Sequence, residues 1–220
     1  MKMKILYDHQ MFSIQKYGGV SKYFCELMKN IPNGNEFYLS VLLSDNHYLK
    51  EDKDFFNKSI LPIPDNDFIA KGRLKKLVYN VNQQFSNKIL GAENYDLFHP
   101  TYYGTYFLKK LKKPYVLTVH DLIFFKDEFY KDNLVRSEMK KSIENASRII
   151  SVSQNTKKDL INILKIDPEK IDVVYHGYNH PGLFSEKKSY GDYILFVGRR
   201  AGYKNFNTLF PKETLHKKGN

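Results

Sequence analysis

Short apolar runs alternate with helical stretches along most of the chain. The apolar runs occupy residues 4–9, 36–43, 95–103, 113–125, 147–153 and 171–177. Several are continuously apolar, which is typical of strands that helices cover on both faces. Between them, residues 68–90, 132–145 and 154–164 have helical patterns, and a helical stripe follows Val20. The alternation predicts an α/β fold with a Rossmann-like, doubly wound parallel sheet.

The predicted domain organisation is uneven. Residues 1–177 form a first Rossmann-like domain, and residues 178–191 are a polar, turn-rich linker. Residues 192–220 open with "DYILFVGRRAGYKNF", which predicts a buried strand, a glycine turn and a helix that starts at Lys204 and stops before Pro211. A lone strand and part of a helix cannot bury their own faces. We therefore expect these residues to be the beginning of a second Rossmann-like domain.

Composition excludes several classes of protein. No apolar run approaches the roughly 18 residues of a membrane span. The first residues reach Asp8 after one short apolar run, too early for a secretory signal. A single cysteine, Cys25, excludes an internal disulfide framework and a cysteine-rich metal site. These features predict a cytoplasmic protein.

The net charge of +11 comes mainly from lysine, because only five of the 35 basic residues are arginine. Nucleic-acid recognition favours the arginine fork, so no nucleic-acid partner is expected. Lysine is densest in residues 71–76 and 108–113. Each segment is either a solvated helix face or a contact with an anionic membrane or a phosphate-rich acceptor. Membrane contact would place the protein peripherally at the inner membrane face.

Candidate binding residues follow four predicted strands, where ligands of open parallel sheets bind. Gly18 and Gly19 precede a helix, so their backbone amides either meet a phosphate or only form a turn. His120 ends the most apolar run and either contacts a substrate or caps the next turn. His99 and His176 end other strands, where a structural role is the simpler interpretation.

Further candidates lie at predicted helix starts. Arg199, Arg200 and Lys204 surround the turn after residue 197 and form either a diphosphate clamp or a solvated basic turn. Ser153 is placed to cap the helix of residues 154–164. No two of the strand-end histidines have the spacing of a helical metal pair, so no metal site is expected.

Five segments together resemble the retaining GT-B glycosyltransferases of family 4, and within it mannosyltransferase-like enzymes of cell-surface polysaccharide synthesis. In chain order they are "YGGVSKY", "TVHDL", "ASRIISVSQNTKKDL", "VVYHGYN" and "FVGRRAGYKNF". The resemblance implies two Rossmann-like halves. Residues 1–177 would hold a glycan or lipid-linked acceptor, and residues 192–220 would begin the domain that binds a nucleotide-diphosphate sugar. It implies no metal and no other cofactor.

The resemblance also implies residue roles. Gly18 and Gly19 would lie beside the donor phosphates, and Arg199 and Lys204 would hold the diphosphate as it leaves. His120 would be the catalytic contact near the reacting carbon. Further acceptor or sugar contacts are expected from the remaining polar residues after the strands, which are His99, Tyr102, Asp121 and Ser153.

The chain departs from the family pattern in its last residues. The family carries a glutamate pair, two helical turns apart, in the donor domain, and this pair does not occur here. We expect a truncated, shortened or frameshifted enzyme with little activity alone, whose exposed domain seam promotes self-association. The alternative is a non-catalytic Rossmann-like module that binds a partner or a glycan.

Overall fold

The protein is described by a computed structural model that covers residues 2–56, 60–62, 73–127, 134–178, 195–197 and 206–209. The chain divides into two compact units, Met1–Gly177 and Tyr178–Asn220. Within the described ranges, every helix is too short or too polar to cross a bilayer.

The first unit alternates strands and helices along its described residues. Its strands are β1 (Lys4–Tyr7), β2 (Glu36–Leu39), β3 (Leu43–Ser44), β4 (Leu61–Pro62), β5 (Leu97–His99), β6 (Val116–Val119), β7 (Arg148–Ser151) and β8 (Ile171–Val173). Its helices are α1 (Gln10–Ile14), α2 (Gly19–Lys29), α3 (His47–Glu51), α4 (Lys53–Phe56), α5 (Arg73–Ala92), α6 (Ile123–Lys126), α7 (Leu134–Asn145) and α8 (Gln154–Leu164), and Pro168–Lys170 forms a 3-10 turn.

Every strand pair among the described residues is parallel. One sheet has the order β2-β1-β5 and another the order β6-β7-β8, while β3 and β4 form a small separate pair. A parallel bridge between Phe98 and Tyr115 joins β5 to β6, and the Phe98 amide donates to the Pro114 carbonyl at 3.2 Å. The strand order reverses between β1 and β5, which is where open α/β sheets bind ligands. The predicted Rossmann-like parallel fold is confirmed.

Helices cover the sheets and bury two apolar clusters. The larger cluster surrounds Phe98 and Leu117, both fully buried, with Met139 of α7 and Leu160 of α8. The smaller cluster lies under α1 and α2 and includes Phe12, Phe24, Met28 and Leu39. Each such large side chain contributes about 1.5–3 kcal/mol when it is removed from water. These clusters fix the positions of the strand ends.

The predicted strand of residues 36–43 is split in the structure. β2 ends at Leu39, and Ser40 donates its hydroxyl to the Tyr7 carbonyl at 3.2 Å. The amides of Leu42 and Leu43 both donate to Asn82 Oδ1 of α5 at 3.0 Å. A side chain therefore replaces the neighbouring strand as hydrogen-bond partner, and β3 leaves the main sheet.

The predicted strand of residues 113–125 is also shorter than the apolar pattern. It ends at Val119, and Ile123–Lys126 forms the helical turn α6. Asp121 Oδ1 accepts a hydrogen bond from the Ile123 amide at 3.1 Å, which starts a turn instead of a continued strand. Apolar residues after position 121 therefore pack from a helix.

The second unit differs from the sequence expectation in its described parts. Leu195 and Val197 are 74% and 79% exposed and lie outside any strand, whereas a buried strand was predicted there. Phe206–Leu209 is a 3-10 turn, not an α-helix. The nearby Pro211 removes a backbone donor and restricts the residue before it, which accounts for the tighter turn. The Phe196 and Phe206 rings contact at 4.7 Å.

Candidate active site at the carboxyl edge of the sheets

Polar side chains meet where β1, β5 and β6 end, on either side of the switch point. β1 is followed by Asp8 and His9, β5 ends at His99, and β6 is followed by His120. The register pairs Tyr7 with His99, so the two strands end at the same level. We call this end of the parallel sheets the carboxyl edge. It gathers residues that are far apart in sequence, as the fold requires.

Asp8 is fully buried and is the most heavily hydrogen-bonded side chain at this edge. Its carboxylate accepts from the Thr101 amide at 2.8 Å, the Thr101 hydroxyl at 2.7 Å, Gln10 Nε2 at 2.7 Å and the Tyr106 hydroxyl at 3.0 Å. A fifth, longer bond comes from the Gln10 amide at 3.3 Å. These bonds tie the end of β1 to the loop after β5.

His120 is held by its backbone and by ring contacts. Its amide donates to the Tyr103 hydroxyl at 3.4 Å, and its carbonyl accepts from the Thr156 hydroxyl at 3.2 Å. The imidazole meets the Tyr23 ring edge-on at 5.1 Å and 89°, and lies parallel to His176 at 5.5 Å and 11°. The side chain is thus placed between α2 and the segment after β8.

The environment of His120 favours the neutral imidazole. Burial, and next the nearby His176, lower the His120 pKa to about 4. Its Nε2 is buried and finds no hydrogen-bond partner among the described residues. A buried polar atom without a partner is costly and is frequent at functional sites. Near neutral pH the His120 imidazole is therefore uncharged, and its Nε2 is not committed to another group of the described residues.

His99 has a structural environment. It is buried, and its Nε2 lies 2.9 Å from the Thr118 hydroxyl, which in turn lies 3.3 Å from the Tyr23 hydroxyl. The rings of Tyr7 and Phe24 pack on it at 5.4 and 5.2 Å. Burial, followed by the nearby His120, lowers the His99 pKa to about 3. His99 therefore has a structural role, because it holds the Thr118 hydroxyl that contacts Tyr23.

Gly18 and Gly19 begin α2 at the amino end. Gly18 is the N-cap, and a Cβ there would collide with the Gln15 side chain, whose Oε1 accepts from the Ser21 amide at 3.2 Å. A Cβ on Gly19 would meet nothing within 4 Å. Tyr23 follows about one helical turn after Gly19. The glycine pair and the His120 ring are therefore connected by one helix.

The other candidate contacts have varied surroundings. Ser153 caps α8 as predicted, because its hydroxyl accepts from the Thr156 amide at 3.1 Å. Asp121 is exposed and holds the Ile123 turn. Tyr102 is half-buried, and burial, followed by Asp121, raises its pKa. Contacts of these residues with a sugar or an acceptor stay predictions.

Two predicted donor contacts, Arg199 and Lys204, lie outside the described residues, and so does Arg200. In the part of the chain that the structure covers, no three His, Cys, Asp or Glu residues are grouped to hold a metal ion. Metal independence remains a prediction.

Sequence reasoning missed three participants in the site: Asp8, Tyr23 and the pairing of His176 with His120. The signal for Asp8 was present, because "DH" after β1 mirrors "HD" after β6. Tyr23 appeared only as part of an apolar helical stripe. Its role is visible once α2 lies over Thr118 and the two histidines.

The comparisons with known proteins agree with this geometry. The profile of Glycosyltransferase Family 4 matches residues 17–180, which is most of the chain. The chain belongs to this family. The matched range contains Gly18, His120 and His176. The family membership predicted from the five motifs is confirmed.

Individual relatives match parts of the chain. The O-antigen chain mannosyltransferase RfbU of Salmonella typhimurium is 28% identical over 101 residues, which are 45% of this chain and 28% of that protein. Anabaena HepE, solved with UDP and glucose, superposes with a TM-score of 0.50 at 15% identity, over 81% of this chain and 45% of HepE. HepE with UDP alone gives 0.48 at 14% identity, over 81% and 45%. The chain thus spans less than half the length of these proteins.

Proposed function

We propose that the protein transfers a sugar from a nucleotide-diphosphate donor to a glycan or lipid-linked acceptor in cell-surface polysaccharide synthesis. Met1–Gly177 is the acceptor-side domain in this proposal. The observation that carries it is His120, a neutral imidazole with an uncommitted nitrogen at the carboxyl edge of a family 4 chain. The helix that starts at Gly18 and Gly19 leads directly to its ring contact, Tyr23.

The names of the related proteins support the substrate classes. A mannosyltransferase of O-antigen chains is among the relatives, so a hexose such as mannose is the donor sugar we propose. HepE was solved with UDP and glucose, which supports a nucleotide-diphosphate sugar as the donor. The proposed reaction retains the anomeric configuration, as the family resemblance implies.

In the proposed transfer, the bond between the sugar C1 and the diphosphate oxygen breaks, and its electron pair stays on that oxygen. A bond forms between C1 and the acceptor hydroxyl oxygen on the same face of the sugar. The hydroxyl proton moves to the departing diphosphate. His120 binds a donor sugar hydroxyl and orients C1, while Gly18, Gly19, Arg199 and Lys204 stabilise the developing phosphate charge. No metal is required in this scheme.

The acceptor side includes an anionic membrane surface in this proposal. The start of α5 combines positive charge with exposed apolar side chains, because Lys75 and Lys76 are exposed beside Leu74 and Leu77. Lys75 Nζ also donates to the Ile14 carbonyl at 2.9 Å. Anionic lipids attract such segments. The second lysine-rich segment is partly engaged within the protein: Lys112 pairs with Glu93 at 2.6 Å, and Lys113 donates to the Tyr95 carbonyl.

Vesicle sedimentation tests the membrane contact. Lys75→Glu with Lys76→Glu is expected to reduce binding to anionic vesicles and to leave the weak binding to neutral vesicles unchanged. Lys140→Glu with Lys141→Glu is the matched control, because it makes the same change in net charge at two exposed lysines of α7. Equal binding by the two double variants would contradict the contact.

Transfer itself is tested with the protein expressed from its intact gene. The protein is incubated with membranes and a panel of labelled nucleotide-diphosphate sugars that includes GDP-mannose, with and without EDTA. We expect label in the lipid or glycan fraction, resistance to EDTA, and loss of at least about a hundredfold in rate in His120→Ala. Wild-type protein that binds a donor but transfers no sugar to any acceptor would favour the binding-module alternative.

A further inference from the structure

The Nε2 atom of His120 makes no hydrogen bond with the described residues that would fix the plane of the imidazole ring. Its backbone is tied to Tyr103 and Thr156, but Nε2 has no partner within the described ranges. A histidine side chain can rotate about two bonds, so its plane depends on what packs against the ring. The contacts of the ring therefore decide where the uncommitted nitrogen points.

Two rings enclose the His120 imidazole. Tyr23 meets it nearly perpendicularly, with centroids 5.1 Å apart, and His176 lies almost parallel to it, with centroids 5.5 Å apart. Tyr23 also meets His176 edge-on, at 5.1 Å and 79°. The three rings thus form a closed triangle in which each ring touches the other two. Aromatic pairs of this geometry stabilise their mutual orientation.

The two neighbours of His120 are anchored differently. Tyr23 lies on α2, and its hydroxyl is bound to Thr118 of β6, so it is fixed to the helix and the sheet together. His176 follows β8 and is exposed to solvent. An exposed residue has little other reason to keep its ring flat against a functional imidazole. His176 is therefore the member of the triangle that can be replaced without disturbing α2 or β6.

We propose that His176 is a positioning residue that, together with Tyr23, fixes the plane of the His120 imidazole and with it the direction of its ring nitrogens. The role in sugar transfer rests on the proposed function above, whereas the orientation of the ring does not. His176 acts through His120 and contacts neither the reacting carbon nor the leaving group.

The charge environment is consistent with this role. The titratable groups that contact or adjoin His120 come from every element around it, and they are Tyr23, His99, Tyr103, Asp121 and His176. Besides burial, His176 is the cause that lowers the His120 pKa. Replacing His176 by a neutral ring should therefore raise the His120 pKa, while replacing it by a small side chain should also free the ring.

Two variants separate ring packing from charge. His176→Phe keeps a flat ring and removes the ionisable group, whereas His176→Ala removes both. NMR of the 220-residue chain with labelled histidine follows the His120 ring signals, their nuclear Overhauser effects to Tyr23, and their pH titration. His47→Ala is the matched control, because His47 is another exposed histidine in ring contact with tyrosines, Tyr17 and Tyr48.

The proposal predicts distinct results. In His176→Ala the Tyr23–His120 Overhauser effects weaken and the His120 ring signals shift, whereas in His176→Phe the effects persist and the His120 pKa rises. His47→Ala leaves all three readouts unchanged. Unchanged His120 signals in His176→Ala would overturn the proposal. If His176→Ala does not fold, as far-UV circular dichroism would show, lost Overhauser effects in folded His176→Phe overturn it instead.

A kinetic arm tests the consequence for transfer, with protein expressed from the intact gene. His176→Ala is expected to lower kcat by about tenfold to a hundredfold, as small misplacements of a catalytic group do, and His176→Phe is expected to retain most of it. If the wild-type protein transfers no sugar, the proposed function fails while the NMR result still decides the positioning. Equal kcat for His176→Ala and wild type would overturn the role in transfer.

Discussion

Replacement of the buried Asp8 by asparagine should destabilise the first unit strongly. Asp8 Oδ2 accepts from Gln10 Nε2 at 2.7 Å and from the Tyr106 hydroxyl at 3.0 Å. An amide NH₂ at that position would face the Gln10 NH₂. Gln10 cannot simply flip its amide, because its Oε1 accepts from the Gly104 amide at 2.7 Å. One donor therefore stays unsatisfied in a buried site.

The magnitude follows from the hydrogen bonds lost. A bond to a charged acceptor contributes about 1.5–3 kcal/mol, and a buried donor left unpaired costs about 1–3 kcal/mol. Removing the buried charge regains part of its desolvation cost, so the terms do not add. We expect Asp8→Asn to lower the free energy of unfolding by about 2 kcal/mol. For Asp8→Ala, which removes both carboxylate oxygens from the buried network, we expect about 3–5 kcal/mol.

Urea denaturation, followed by far-UV circular dichroism and tyrosine fluorescence, measures both variants. Asp172→Asn is the matched control, because it also replaces a carboxylate by an amide, but at a residue that pairs with Arg148 on the surface at 2.6 Å. The Arg148–Asp172 pair is exposed but bidentate, so the control should cost at most about 1 kcal/mol. The reasoning is refuted if Asp8→Asn is no less stable than Asp172→Asn at an unchanged denaturant slope.

Three further variants test other parts of the fold. Lys165 ends α8 in the left-handed region at φ 56°. Lys165→Gly should stabilise the protein by about 0.5 kcal/mol, since relief of the backbone strain exceeds the entropy that glycine adds to the unfolded chain. A loss of stability in urea would contradict this. Ser153→Ala should cost about 1 kcal/mol through the lost N-cap, whereas an unchanged urea midpoint would show that the cap contributes nothing. His99 has a pKa of about 3 in the folded protein and an ordinary value near 6.5 when unfolded. Between these pH values the His99 imidazole binds a proton only in the unfolded chain. Its contribution should therefore lower the stability by about 1.4 kcal/mol for each unit of decreasing pH. His99→Gln should reduce the measured slope by that amount, while His9 and His120, whose pKa values burial lowers to about 4, keep their own contributions. An unchanged slope in urea titrations from neutral to acidic pH would refute the assignment.

Local signals in the sequence were sufficient for much of the fold. The bounds of α8 and its cap at Ser153 follow from helical spacing and from one hydroxyl next to the first turn. The parallel order of the sheets follows from apolar strands that alternate with helices. His120 was predicted as a site residue because an apolar run ends there with a polar pair, and its role stays a prediction. The inferences on α8 and His120 use residues within one turn or one strand, and the parallel order uses only the sequence of such elements.

The rest depends on contacts between distant segments. The split of residues 36–43 needs Asn82, a residue on α5 that captures two backbone amides. The stacking of His176 on His120 needs the register of β6, β7 and β8. No local pattern encodes these distances. For the same reason the sequence indicated two separate histidines where the structure shows one ring cluster.

Helix α2 couples the glycine pair to the ring cluster of Tyr23, His120 and His176. Its first residues, Gly18 and Gly19, present backbone amides at one end, and Tyr23 carries the ring contact to His120 and His176 one turn later. The Tyr23 hydroxyl is bound to Thr118, so the same helix is also fastened to β6. A rigid helix cannot shift one of these points without the others. A ligand that displaces Gly18 and Gly19 would therefore also rotate Tyr23 about its hydrogen bond to Thr118. The same movement would tilt the stacked imidazoles of His120 and His176.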